Sequence, residues 1–264
     1  MDNMASNSPP SHLILVCCHA IYLGGPTKGT SESEWLLANF QRDEVPTFTS
    51  HLQTGLSLLS QDPCALLVLS GSKTRPEIDK SEAQSYLDLA VEHDFWGLAD
   101  DHGMRVRERI LCEEQALDSF ANLLFSVMRF WRATAAWPTT LTVVSHEFKR
   151  RRFMDCHVPA LRLAPHRVRF VGIDPCYMQR GHASWDQARC EAVVEGEHER
   201  GFMAWREDGS GRGAPLRQKR AARNPWCVGQ ELFCDEDEKM RSLVRCTIVD
   251  SEEFLIEGEP QPWE

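Results

Sequence analysis

Long apolar runs are missing from this 264-residue sequence. No stretch approaches the ~18 apolar residues that a membrane-crossing helix needs. The start, MDNMASNSPPSH, is polar and rich in Pro and Ser rather than charged and then apolar. These features predict a cytoplasmic protein whose residues 1–11 form a disordered lead-in. Positive charge is also scarce: 29 Lys and Arg stand against 39 Asp and Glu, a net charge of −10. That balance argues against nucleic acid or an anionic membrane as partner. Cysteine is plentiful, at ten residues, but C-x-x-C and any repeated spacing are absent, so no zinc motif is present. A chain this long needs no disulfide framework, and several of its cysteines sit in apolar runs, which predicts buried free thiols. G-x-G-x-x-G and G-x-S-x-G are lacking too, which leaves no dinucleotide fingerprint and no nucleophile elbow.

What the sequence does contain is a repeating alternation. HLILVCC (12–18), ALLVLSG (65–71), RERILCE (107–113), TLTVVS (140–145) and RVRFVGID (167–174) are short apolar runs closed by small or polar residues. Their continuous apolar interiors predict strands covered on both faces. Between them, KSEAQSYLDLAVEHDF (80–95) places Ala83, Leu87, Ala90 and Val91 on one helical stripe. ALDSFANLLFSVMRFWRAT (116–134) does the same with Leu117, Phe120, Ala121, Leu124, Met128 and Trp131. The reading is an α/β fold: a Rossmann-like three-layer domain over 12–175, with a mainly parallel sheet of about five strands and a C-terminal extension. Residues 176–230 read as a helical and loop extension packed on that core, with 184–208 helical and the basic, glycine-bearing stretch from Glu207 to Pro225 loop-like. Residues 231–264 carry eleven acidic against three basic side chains. Within them SLVRCTIVD reads as an added edge strand and EGEPQPWE as a solvated tail.

In wound parallel sheets ligands bind beyond the carboxyl ends of the strands, so the residues just after each strand are the candidates. After the first strand stand His19 and the glycines Gly24 and Gly25. After the second, Ser70, Gly71 and Lys73 precede Ser81 and Glu82 at a helix start, a loop of small residues and cations suited to an anion. After the third, Glu113 is followed by Asp118, Ser119 and Asn122 in the first turns of a helix. An amide at 122 interrupts an apolar stripe, and such a group needs partners. After the fourth, SHEFKRRRF supplies Ser145 and four cations. A helix starting near Glu147 would bury Phe153, Cys156, His157, Ala160, Leu161 and Ala164. On that register Lys149 and Arg152 face the crevice, while Arg150 and Arg151 face solvent, Arg151 within reach of Asp155. Cations in a first helical turn oppose the helix dipole, which a bound anion or nearby carboxylates such as Glu82 and Glu113 would offset.

The order of these strand-end signatures resembles the SanA/YdcF-like family, a domain of unknown function. The carrying residues are SG followed by SEA, then E-x4-D-S-x2-N, then S-x2-F-K-x2-R, over about residues 12–175. CHAIYLGG, FKRRRF and KRAARNPW are similar to its eukaryotic, fungal-type branch, which has a C-terminal extension. The family's polar positions fall on Ser70, Gly71, Ser81, Glu82, Glu113, Asp118, Ser119, Asn122, Ser145 and Arg152. Ser72 replaces a second glycine, Ser119 a threonine, and Lys149 the family's histidine. The last change keeps positive charge but gives a poorer acid–base group near neutrality. The resemblance implies a Rossmann-like fold and a nucleotide-like ligand, S-adenosylmethionine being one suggested for the bacterial branch, although this chain has no glycine-rich methyltransferase motif.

The leading expectation is a small-molecule enzyme or ligand-binding protein. Glu82 or Glu113 would act as general base, and Lys149 with Arg152 would neutralise a carboxylate or phosphate. A second reading is hydrolysis or transfer at a phosphoryl or acyl group with Ser70 or Ser145 as nucleophile. A third is a non-enzymatic module in which the acidic tail and the basic 212–223 stretch contact each other or a protein partner.

Overall fold

The computed structural model describes residues 9–98, 106–249 and 252–264. Residues 1–8 of the expected lead-in lie outside this set. The sheet is built from β1 (His12–Cys17), β2 (Ala65–Ser70), β3 (Ile110–Glu113), β4 (Thr140–Ser145) and β5 (Val168–Gly172). All five strands pair in parallel, in the spatial order β3-β2-β1-β4-β5. The chain winds outward one way from β1, then returns to wind the other way. The reversal point, between β1 and β4, is where such sheets leave a crevice for ligands.

Alternation along the buried strands divides the core in two. Leu13, Leu15 and Cys17 of β1, with Leu66 and Val68 of β2, point to one face. There they meet α3 (Ser119–Thr134) through Leu124, Val127 and Met128. Ile14, Val16, Leu67 and Leu69 point to the other face, against α1 (Val45–Gln61) and α2 (Glu82–Glu92). This is the period-two pleat of a strand with both sides covered. α1 can lie close to the sheet because it presents Gly55 there. A methyl group on that residue would come within 2.5 Å of Val16 Cγ2. Each connecting helix starts where a local signal stops the chain from extending: Pro46 in the first turn of α1, Ser81 accepting from the amide of Gln84, and Asp118 accepting from that of Ala121.

Several expectations need correction. The third strand is shorter than expected, because Val106–Arg109 forms a 3-10 turn and only Ile110–Glu113 pairs. Val91 is exposed rather than buried on the α2 stripe. The segment after β4 runs as a 3-10 turn at Glu147–Lys149 and a π-helix at Arg152–His157 before Val158–Ala160. Of the six positions expected to be buried, Phe153, Cys156, His157 and Leu161 are, while past the wider π turn Ala160 is exposed and Ala164 only partly covered. Arg151 does face outward, 3.7 Å from Asp155.

The stretch read as a basic loop contains a helix, Ala214–Ala222, entered through Pro215 in its first turn. Cys246–Val249 pairs with Glu252–Leu255 in a separate antiparallel sheet instead of joining the main one. The tail is solvated only in part: residues 257–260 are exposed, but Gln261 and Trp263 are buried, the Trp263 indole donating to the Leu161 carbonyl at 2.8 Å. An apolar indole outweighs the surrounding acidity there. Among the described residues no helix is long and apolar enough to cross a membrane, and all ten cysteines are free thiols.

Candidate functional site at the carboxyl ends of the strands

Two strand ends and the first turn of α3 contribute to one buried polar cluster. Ser70, the last residue of β2, donates its hydroxyl to Glu113 at the end of the adjacent β3. Asn122 of α3 donates to the same hydroxyl at 2.8 Å and to the Ser70 carbonyl at 3.2 Å. The amide that interrupts the apolar stripe of α3 thus has its partners. The other Glu113 oxygen accepts the backbone amides of Gln115 and Ala116, at 2.6 and 3.1 Å. Even so, burial dominates and pushes the Glu113 carboxyl up to about 7.

Gly71 lets a second carboxylate approach. A methyl group there would lie 2.7 Å from Glu82 Oε2 and 3.1 Å from Cys18 Cβ. Glu82 accepts from the Thr74 hydroxyl at 2.6 Å, and burial raises its pKa as well. Ser81 caps α2 and donates to Glu114 at 2.7 Å. Asp118 caps α3 and is 3.2 Å from Arg220. Ser119 lies 2.7 Å from Nε2 of the buried His157.

The cations stand after the end of β4. Lys149 Nζ is 3.5 Å from Nδ1 of His19, whose Nε2 is 3.4 Å from the Ser145 hydroxyl. Burial, reinforced by Arg152, brings the Lys149 ammonium down to about 8. Burial also lowers Arg152, against the pull of Glu197, whose Oε1 lies 3.2 Å from Arg152 Nε. That pair is close, but neither atom finds hydrogen-bond geometry. The 212–223 stretch approaches the same edge. Arg223 donates to the Leu117 carbonyl at 3.3 Å, and its positive charge acts on both Glu82 and Arg152.

Three of the residues expected at the site lie apart from this cluster. The first loop folds around its own carboxylate, since Glu34 accepts the amides of Thr27 and Gly29 at 2.7 and 2.6 Å and fills the space beside Gly25. Gly24 lies against Glu92. Lys73 pairs at 2.6 Å with the exposed Asp79.

Sequence reasoning passed over His51, Glu44 and His146. His51 and Glu44 belong to α1 and its start, a helix whose apolar spacing (48, 52, 56, 59) is diluted by Thr, Ser and Gly. His146, adjacent to the candidate Ser145, is buried and stacks on Phe148. Two small cavities, of about 40 and 10 Å³, lie elsewhere, one beside Phe254 and Arg162 and one beside Pro138 and Trp263.

The parallel order about β1 defines a Rossmann-like α/β protein with buried polar side chains at the carboxyl ends of its strands. The chain is similar to the uncharacterized protein YOR238W of Saccharomyces cerevisiae, a distant fungal relative. They are 27% identical over 275 residues, an alignment covering 86% of this chain and 89% of the relative. No family model and no solved structure matches the chain.

Proposed function

We propose that this protein is a small-molecule enzyme or ligand-binding protein of the SanA/YdcF-like type, taking a polar anionic ligand at the carboxyl ends of its strands. The order of the four strand-end motifs supports the family assignment. One observation carries the functional reading: two cations, Lys149 and Arg152, are held in a largely buried region where Arg152 disfavours the charged form of Lys149 and Arg223 that of Arg152. A phosphate or carboxylate seated between them would offset that repulsion. Glu113, titrating near neutrality beside Ser70, is suited to exchange a proton with such a ligand. Nucleotide-like compounds, S-adenosylmethionine among them, fit this class.

The test is native mass spectrometry of freshly purified protein, followed by thermal-shift titration with inorganic phosphate, adenosine nucleotides and S-adenosylmethionine. The expected result is a bound small molecule, or a rise in melting temperature with at least one probe, that disappears in Lys149→Met. Arg152→Ala is the poorer probe, because it would strand Glu197 in a largely buried position. If wild type carries no ligand and no probe shifts its melting curve differently from the variant's, the reading fails.

The approach of His19 to Ser145 supports, more weakly, a reading as a hydrolase or transferase of phosphoryl or acyl groups. Both candidate serines are fully buried, Ser70 with its hydroxyl already engaged. Flat rates across phosphatase and esterase substrate panels would remove it. For the interaction-module reading, internal contacts already occupy much of the acidic segment. Glu252 meets Arg217 at 3.3 Å, Glu253 meets Arg241 at 2.6 Å, and Glu264 pairs with Arg162.

A further inference from the structure

Beside the proposed anion crevice, three histidines from three different elements converge. His19 follows β1, His146 follows β4 and His51 comes from α1. One ring nitrogen of each lies within 4.8 Å of the other two. His51 and His146 are almost wholly buried. A buried imidazole normally has its nitrogens satisfied. Here neither nitrogen of His146 has a hydrogen-bond partner, and Nδ1 of His51 has none.

The partners of the remaining nitrogens matter. Nε2 of His51 is 2.9 Å from the carbonyl of Ile173. A carbonyl only accepts, so that nitrogen carries the proton and Nδ1 keeps its lone pair, with the Ser145 backbone nearby but outside hydrogen-bond geometry. Nε2 of His146 faces Glu44 Oε2 at 3.6 Å, and Glu44 is itself held by the Tyr177 hydroxyl at 2.7 Å. A carbonyl behind one ring and a carboxylate behind another are the outer supports that metal-ligating histidines use. Gln41 adds a third anchor, donating to the His19 carbonyl at 2.6 Å.

We propose that His19, His51 and His146 form a binding site for one divalent transition-metal ion of the zinc class, with Glu44 as supporting carboxylate. Three imidazoles are a recognised donor set for zinc, at roughly 2.0–2.1 Å per bond. Such bonds bring the nitrogens to about 3.3–3.5 Å apart in tetrahedral geometry, so the rings close inward by about an ångström. The groups that oppose a dication are Lys149 and, behind it, Arg152. The proposal does not depend on the anionic-ligand reading and shares only His19 and Lys149 with it.

The test uses the full chain, stripped with chelator and titrated with Zn2+ by calorimetry and with Co2+ by visible absorption. One ion per chain is expected, with the bands of a nitrogen-ligated tetrahedral cobalt and no thiolate charge transfer. His51→Gln and His146→Gln should each weaken binding by more than the roughly 10–100-fold that loss of an outer support costs. His19→Gln, at the least buried position of the three, should do so without loss of fold by circular dichroism. Lys149→Met should tighten metal binding, whereas on the anionic-ligand reading the same change abolishes anion binding, so the two proposals can fail separately. Zinc binding that persists in all three histidine variants, or a cobalt spectrum of thiolate type, would overturn the site.

Discussion

At the scale of single residues, Glu113 is the most consequential side chain. Its carboxyl titrates at an ordinary 4.5 when free and at about 7 in the fold, because burial disfavours the charged form. The folded state therefore binds this proton more tightly than the unfolded chain does. The stability it contributes is complete below pH 4.5 and is lost as pH rises through about 7, for a total of about 3 kcal/mol. Glu113→Gln removes that titration and still offers an oxygen to the amides of Gln115 and Ala116. Urea unfolding at pH 4.5 and 7.5 should show wild type losing about 3 kcal/mol more than the variant over that span, and equal losses would refute the assignment. Glu82 and Glu44 shift in the same direction and are present in both proteins, so they cancel in the comparison. Much of this scale was legible in the sequence. A carboxylate after a strand and an amide inside an apolar stripe both signal a local demand for partners, and Ser70 meets both. His51 was not legible, because its importance comes only from rings contributed by residues far away in the chain.

At the scale of elements, the five strands could be read because apolar continuity is a property of each segment alone. Boundaries and register were harder. The π-helix at Arg152–His157 leaves Leu161 in the expected stripe but puts Ala160 outside it, and no local composition announces it. α1 was missed for a related reason. Its Gly55 lowers helical propensity by about 1 kcal/mol relative to alanine, and that weakness is what permits close packing on the sheet. Gly55→Ala sets the two effects against each other. The gain in propensity is about 1 kcal/mol. The added methyl group would press on Val16 Cγ2 at 2.5 Å and Leu67 Cδ1 at 3.2 Å, an overpacking that costs roughly 1–3 kcal/mol. Overpacking should win by about 1 kcal/mol, lowering the melting temperature by about 3 °C. In combination with Val16→Ala the two losses should be less than additive, since the second change vacates the space the first invades. A rise in melting temperature for the single variant would show that α1 sits further from β1.

At the scale of the whole molecule, the question is whether the last residues belong to the fold. Acidic composition suggested a solvated appendage, since charge density is visible in a sequence and a long-range contact is not. Trp263 decides the matter through contacts with residues from across the chain. It packs edge-on against Trp137 at 5.0 Å, which in turn meets Trp131 of α3 at 5.6 Å. Its neighbour Glu264 pairs with Arg162, but that contact is on the surface, where solvent screening leaves such a pair little weight. The burial of the indole should therefore outweigh the ion pair. Truncating a buried tryptophan costs about 3–5 kcal/mol, and in a chain of this length each kcal/mol moves the melting temperature by about 2–4 °C. Trp263→Ala should thus lower the melting temperature by about 10 °C in a single transition, while Glu264→Ala moves it by no more than about 3 °C. A separate early transition, or no change at all, would mean that the C-terminal segment is an independent unit. One cooperative melt would make it part of the layer that covers α3, and so part of what holds Asp118 and Asn122 in place at the strand ends.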